Sequence, residues 1–478
     1  MVKQTKIIAT VGPACTEERI LGSMIREGAD LLRINASHTT PKGLREWILR
    51  IRKLSASIRR EVGILVDLQG PRVRTGPLKG GRPLLLKNGE EVTIVCGPGE
   101  GWGRIVTTPC RELPRMVKRG DRILLDNGTM ELKVLRVEPR QVLAQVLGGG
   151  LLGANKGINL PNAQATLPAL TEMDRSNLGV AAGLEVDYVA LSFVRAAADV
   201  ADLKGWMKRH HKDIPVIAKI EKPSGVERLE EILAIADGIM VARGDLGIEM
   251  GVEKVPVVQK RLIQRANRSG IPVITATQML ESMIENRHPT RAEVSDVANA
   301  VFDGTDAVML SGETAVGKYP VETVRMMSEI ILEAERPPWD LQRPSAEVLM
   351  AGRRDPADPV QAITQAAYNA AGALDARAIL VFTRSGRTAQ LMSKLRPRCP
   401  IIALSSSGGP ITRLNLLRGV QPLSIRHSDS TDDMIRQGDA VILRAGLLRR
   451  SDPVVIVSGK QALPGARYMT KIHHIGER

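Results

Sequence analysis

A lysine and a glutamate two residues apart, Lys219 and Glu221, close the apolar run Val216-Ile-Ala-Lys-Ile-Glu221 between Pro215 and Pro223. Such a run reads as a buried strand, and residues two apart on a strand project to one face. An ammonium and a carboxylate would then stand side by side where the strand emerges. Further along, Gly238-Ile-Met-Val-Ala242 repeats the pattern and leads into Arg243-Gly244-Asp245. Two carboxylates and a lysine at neighbouring strand ends suit a divalent cation and a phosphoryl group. Taken alone, Lys-Ile-Glu is equally consistent with an ion pair at a loop mouth.

The elements that must position these groups recur through the chain. Apolar runs at Lys6–Thr10, Leu31–Asn35, Gly63–Asp67, Tyr188–Leu191, Pro215–Lys219, Gly238–Ala242, Pro272–Ala276 and Ala307–Leu310 read as strands. Helical periodicity lies between and after them, including Pro41–Arg59, Ala196–Lys212, Val226–Ala236 and Arg291–Val301. Eight strands alternating with eight helices predict an α/β fold of the (β/α)8 TIM-barrel type. An open doubly wound sheet fits less well, because no glycine-rich dinucleotide fingerprint follows the first strand.

The alternation is interrupted between about Arg72 and Pro168 by short alternating pieces such as Glu91–Val95 and Glu131–Val137, separated by turns like Asp126-Asn-Gly128. This predicts a small β-barrel lid domain inserted at 72–168 into a catalytic barrel formed by 1–71 and 169–340. A Pro-rich charged linker, Arg336 to Pro359, then leads to a C-terminal α/β domain within 341–478.

Barrel enzymes carry their chemistry where strands end. The second end holds Arg33, Asn35, Ser37 and His38; the third holds Asp67, followed by Leu68, Gln69, Arg72 and Arg74. The fifth gives Lys219 and Glu221, the sixth Arg243, Gly244 and Asp245, the seventh Thr275 and Thr277, the eighth Ser311 and Glu313. Any one could be a capped loop. Polar groups at six of eight ends point instead to phosphate chemistry. Gly312-Glu-Thr-Ala-Val-Gly317-Lys318-Tyr319 is set aside as a P-loop because Tyr319 stands where a magnesium-binding hydroxyl is needed. The glycine-rich Gly97–Gly103 precedes no helical pattern and reads as a turn.

Composition bounds the function class. The 478 residues are 43% hydrophobic but only 2% aromatic, and the formal net charge is +15. Much of the excess lies from Leu341 onward, where 20 Lys and Arg face 10 Asp and Glu. Nucleic-acid binders pair such patches with stacking aromatics or a recognisable module, and this region has few aromatics and no such module. No nucleic acid is expected as partner; a small anion is. No run is long enough to span a bilayer, the start is too short for a signal segment, and four scattered cysteines fit reduced thiols, so a cytoplasmic protein with no membrane partner is expected.

Several long motifs together resemble pyruvate kinase: Ala218-Lys-Ile-Glu221, Met240-Val-Ala-Arg-Gly-Asp-Leu-Gly247, Thr275–Met283, Pro289–Glu293, Ser295–Ala300, Met309–Thr314, Arg33–His38 and Lys156–Pro161. The resemblance runs through the whole chain in order. It implies phosphoryl transfer from phosphoenolpyruvate to ADP, giving pyruvate and ATP, with Mg2+ (or Mn2+) held by Glu221 and Asp245. Lys219 would stabilise the transferring phosphoryl. Backbone amides around Arg243–Asp245, with Gly244 between them, and the Thr277 hydroxyl would grip the substrate carboxylate. Arg33 and Arg74 would fix the phosphates, with Asn35, His38 and Lys156 on the nucleotide side. Thr277 or Ser311 would belong to the route that protonates the enolate; the sequence does not choose between them. A homotetramer is implied as well.

One departure matters. Potassium-dependent members typically have Thr, Lys and Glu where this chain has Leu68, Gln69 and Arg72, whereas potassium-independent members have Leu, Gln and Lys. Asn35, Ser37 and Asp67, which would ligate the ion, remain. The expectation is that Arg72 substitutes for K+, which is then not required. In the C-terminal part, Thr383-Arg384-Ser385-Gly386-Arg387-Thr388 follows an apolar strand and resembles the family's effector loop. The late loop Gly459–Tyr468 lacks the tryptophan of some fructose-bisphosphate-activated members, which favours a sugar monophosphate or AMP. Two other classes compete with this reading: a basic nucleic-acid binder, which has no use for the rim carboxylates, and a Mg-dependent aldolase or lyase.

Overall fold

The computed structural model describes residues 3–161, 167–336, 358–406, 411–459, 462–465 and 467–477. Strands Lys6–Thr10, Leu31–Asn35, Gly63–Asp67, Tyr188–Leu191, Val216–Ile220, Gly238–Ala242, Val273–Ala276 and Ala307–Leu310 run parallel, and the eighth pairs back to the first to close a barrel. These strands are covered on both faces, which is why each reads as a continuous apolar run rather than an alternation. Inward-facing Ile8, Leu31, Leu65, Ile217, Met240 and Met309 fill the interior. The register sets Asn35 opposite Asp67 and Lys219 opposite Met240, so polar groups emerge at one level on the rim.

The helix expected over Val226–Ala236 is instead two, Pro223–Glu227 and Leu229–Ile235. Pro223 starts the first turn early, and a Cβ on Gly225 would lie 2.6 Å from the Val194 carbonyl. That close approach pins the first turn against the neighbouring loop, and the chain leaves helical geometry at Arg228 (φ −98°, ψ 26°).

Between the third and fourth barrel strands lies a seven-stranded mixed sheet, in the order Val73–Arg74, Gly157–Asn159, Arg122–Leu125, Met130–Glu138, Gln141–Gly148, Glu91–Cys96 and Ile105–Thr108. Its two edges meet: the Gly76 amide donates to the Thr107 carbonyl at 2.6 Å and the Thr108 hydroxyl to the Arg74 carbonyl at 2.7 Å. The sheet thus curls round its own core of residues such as Val92, Ile94, Leu132 and Val142. At its Asp126-Asn-Gly128 turn all three residues have positive φ (49°, 57° and 83°), the geometry that an Asn-Gly pair accommodates.

The C-terminal sheet has the order Val420–Ser424, Ile401–Ser405, Ala378–Phe382, Pro453–Ser458, Met469–His474, with the last strand antiparallel. It sits under the barrel. Leu416 joins the barrel's interior cluster, and the Tyr188 hydroxyl donates to the Arg413 carbonyl at 2.9 Å. Lys394, at the end of helix Arg387–Leu395, is buried between Asn267 (2.8 Å) and Asp306 (2.5 Å). Burial pushes its ammonium down to about 8 against the pull of Asp306. Most of the expected linker, residues 337–357, falls outside the described residues. Among those described, no helix is long and apolar enough to cross a membrane.

Asp306→Ala would leave Lys394 buried without its carboxylate. Loss of one partner of a buried pair is expected to lower stability by about 3–5 kcal/mol. Urea unfolding followed by circular dichroism measures this; a loss below about 1 kcal/mol, the range of an exposed pair, would show that the underside interface does not depend on it.

Candidate active site

Lys219 leaves the fifth strand into a buried cluster. Its Nζ lies 2.9 Å from Glu221 Oε1 and 3.2 Å from Asp67 Oδ1, and donates to Ser192 Oγ at 2.7 Å. Asp67 ends the third strand and is shared. Its Oδ1 faces Lys219, while Oδ2 accepts from Arg33 Nε at 2.8 Å and lies 2.7 Å from Arg33 Nη2. Arg33 also donates from Nη1 to Thr10 Oγ1 at 3.0 Å. Glu221 Oε2 accepts from the Phe193 amide at 2.7 Å.

Electrostatics separate the two carboxylates. Burial favours the neutral form of each, but Lys219 and Arg33 overcome it at Asp67 and hold that carboxyl below its ordinary range. At Glu221 burial, reinforced by the charge of Asp245, outweighs Lys219 and raises the carboxyl. Burial also acts against the Lys219 ammonium, yet Asp67 and Glu221 together keep it above its ordinary value. The cluster therefore presents a fixed cation beside an acidic pair, Glu221 and Asp245, that lacks full neutralisation.

That pair fits a magnesium ion. Glu221 Oε1 is buried and, apart from its ion pair with Lys219, has no hydrogen-bond partner. Magnesium is commonly held by one or two carboxylates, with waters and substrate oxygens completing the shell.

Local backbone strain marks the same rim. Phe193 has φ 57°, Thr277 φ 69° and Gln278 φ 54°, conformations that cost non-glycine residues about 1–3 kcal/mol each. Arg243 restrains the last two. Its guanidinium donates to the Thr277 carbonyl at 2.7 Å and the Gln278 carbonyl at 3.0 Å, and pairs with Asp296 at 2.7 Å. The Arg243 side chain is thus taken up by the seventh loop and Asp296, which leaves its backbone, the part expected to meet substrate, unaffected by these contacts. The Thr277 hydroxyl accepts from the Gly244 amide at 2.8 Å and donates to the Ala276 carbonyl at 2.6 Å. Helix Arg243–Met250 begins there, so Gly244 and Asp245 sit on its first turn. Ser311 Oγ is buried without a hydrogen-bond partner, while its amide is fixed by Glu313 at 2.6 Å.

Arg72 reaches this rim. Its Nη2 is 3.9 Å from Asp245 Oδ2, and its guanidinium carbon lies 5.7 Å from the Phe193 ring centre. His38 is held below its ordinary range by burial and by Arg72, Arg74 and Arg33. Asn35 caps the turn Ala36–His38 by accepting from the Ser37 amide at 3.1 Å. Arg74 ends strand Val73–Arg74 and Lys156 directly precedes the strand that pairs with it; both are engaged within the inserted domain, Arg74 with the Asn155 carbonyl (3.1 Å) and Lys156 with Asp126 (3.0 Å). Between sheet and barrel opens a cleft of about 540 Å³, lined among others by Arg72, Arg74, Phe193, Lys222, Asp245 and Glu249.

Two contributors escaped the sequence reading. Thr10 ends the first strand and Ser192 directly follows the fourth, the two ends passed over there, and they contact Arg33 and Lys219. The signal was available, since each stands at the end of a barrel strand. Thr275, by contrast, is buried against Thr305 at 3.0 Å and lies away from the cluster.

Comparison with known proteins places this arrangement. Residues 2–324 match the model of the pyruvate kinase barrel domain and residues 361–473 that of the pyruvate kinase alpha/beta domain. Pyruvate kinase of Mycobacterium tuberculosis is 42% identical over 100% of this chain and 99% of its own length. Pyruvate kinase 2 of Synechocystis sp. is 41% identical over 98% of this chain and 79% of that protein. The crystal structure of a pyruvate kinase from Cryptosporidium parvum superimposes with a TM-score of 0.93 at 34% identity, covering 99% of this chain and 96% of that one.

The guanidiniums around His38 give a direct electrostatic test. Its NMR titration midpoint is expected below the ordinary histidine value, and Arg72→Ala, which removes a neighbouring positive charge, should raise it. An unchanged midpoint in Arg72→Ala would place the two groups farther apart than described.

Proposed function

The chain belongs to the pyruvate kinase family, and on that premise we propose how its own residues carry phosphoryl transfer from phosphoenolpyruvate to ADP. The observation that supports the reading is the placement of Lys219, a buried ammonium held by Asp67, Glu221 and Ser192 at the mouth of the barrel. Lys219 supplies fixed positive charge to the phosphoryl in flight. Arg33, braced by Asp67 and Thr10, directs a second cation to the same oxygens. Positioning and fixed charge of this kind provide most of the catalysis in phosphoryl transfer, because water dipoles need not reorganise. Glu221 and Asp245 would hold Mg2+ (or Mn2+), which when bound neutralises phosphate and enolate oxygens. The first turn of helix Arg243–Met250, with Gly244, Asp245 and the Thr277 hydroxyl, receives the substrate carboxylate. Ser311, whose buried hydroxyl has no hydrogen-bond partner, is the candidate we favour for relaying a proton to the enolate, since the Thr277 hydroxyl already donates to the Ala276 carbonyl. Arg74, Lys156, Asn35 and His38 serve the nucleotide.

Three finer assignments follow as proposals. Arg72 takes the part of K+: its guanidinium faces Asp245 and Phe193 at the rim, and Asp67 already spends both oxygens on Lys219 and Arg33. The loop Thr383–Thr388 binds a sugar monophosphate or AMP. It follows the central strand Ala378–Phe382, beside which the strand order reverses, and ligands of open α/β sheets bind at such switch points. There Gly386 (φ 86°) donates its amide to Thr383 Oγ1 at 3.0 Å, and Arg387 pairs with Asp358. Finally, the protein works as a homotetramer.

Lys219→Met should retain phosphoenolpyruvate binding and lose turnover by at least about 10²-fold in a lactate-dehydrogenase-coupled assay; near-native kcat would refute its role. The same assay in tetramethylammonium buffer should match that in potassium buffer, and strong K+ activation would remove Arg72 from its assigned part. Glucose 6-phosphate, ribose 5-phosphate or AMP should shift the phosphoenolpyruvate saturation curve, and Thr388→Ala should abolish the shift. Curves indifferent to all three compounds would count against the effector site.

A further inference from the structure

We infer that Glu249 is a positioning residue that registers the inserted sheet over the acidic pair at the strand ends. Glu249 lies four positions after Asp245 on helix Arg243–Met250, so the two side chains share a face of it. Its side chain is only 1% exposed. One oxygen, Oε1, accepts from Lys222 Nζ at 3.2 Å and from Asn159 Nδ2 at 3.1 Å. The other, Oε2, is buried without a donor, which leaves Lys222 as its paired cation.

Each partner leads to one half of the site. Lys222 directly follows Glu221. Asn159 ends strand Gly157–Asn159, which pairs with Val73–Arg74 and is preceded by Lys156. A single carboxylate therefore joins three parts: the helix bearing Asp245, the loop bearing Glu221 and the sheet bearing Arg74 and Lys156. Among the described residues, a further polar contact of the inserted segment with the barrel runs from Arg195 Nη1 to the Leu167 carbonyl at 3.0 Å, at the far end of the segment. Arg72 stays 3.9 Å from Asp245, and the turn at Gly128 rests on the apolar Ile248. A hydrogen bond to a buried charge is directional and stronger than a neutral one, so it fixes register where apolar contact alone permits sliding.

The inference rests on the phosphoryl-transfer reading, because it takes Arg74 and Lys156 as the cations whose placement matters. Activity of the unaltered enzyme in the coupled assay tests that reading; the variants test this one. Asn159→Ala should lower kcat/KM for ADP by about tenfold, the worth of one hydrogen bond to a charge, with an unchanged thermal midpoint. Asn159→Asp has the same shape but sets two carboxylates against each other, so its loss should be greater than that of Asn159→Ala. Adding Glu249→Gln, whose amide can donate to the carboxylate introduced at position 159, should recover part of that loss while Asn159→Asp alone does not. Wild-type kcat/KM in Asn159→Asp, or no recovery in the double variant, would overturn the inference.

Discussion

The buried quartet of Arg33, Asp67, Lys219 and Glu221 is the interaction on which the rest of this structure depends. Each of these charges is at most about a tenth exposed, and taking an ion out of water costs several kcal/mol unless a partner replaces the solvent. Asp67 offsets that cost for two cations at once. Removing it would leave both without their shared counter-charge, so the fold is obliged to bring the second, third and fifth strands together in one register. The parallel barrel does this by geometry, since residues that end neighbouring strands emerge at one level.

The imbalance within that quartet is as informative as the balance. Asp67 is held ionised by two cations, whereas Glu221 shares one lysine and feels Asp245 nearby. A site that keeps one carboxylate satisfied and another short of positive charge is prepared for a divalent ion and an anionic substrate. The strain at Phe193, Thr277 and Gln278 belongs to the same design. Arg243 holds the last two in place from behind, which explains why a guanidinium beside the site points away from it.

How much of this was legible in the chain follows from the range of the interactions. The barrel strands, covered on both sides, announce themselves as apolar runs, and their ends carry polar residues that could be read off directly. The division into Pro223–Glu227 and Leu229–Ile235 could not, because the apolar periodicity runs on through Arg228, where the backbone leaves helical geometry. Ser192 and Thr10 were missed for a related reason. A single hydroxyl at a strand end is common, and only its distance to Lys219 or Arg33 distinguishes it from an ordinary cap.

The sequence by itself determined the alternation of strands and helices, the inserted and C-terminal sheets, and which titratable residues stand at the strand ends, because these follow from periodicity and adjacency along the chain. Tertiary structure decided how those residues divide their work. It tied the Arg243 side chain to the seventh loop, brought Arg72 to Asp245, and joined Asn159 to Glu249 across the cleft. The physical reason is that hydrogen bonds and ion pairs act over a few ångströms, and which groups come that close is known only once strands distant in sequence have been brought side by side.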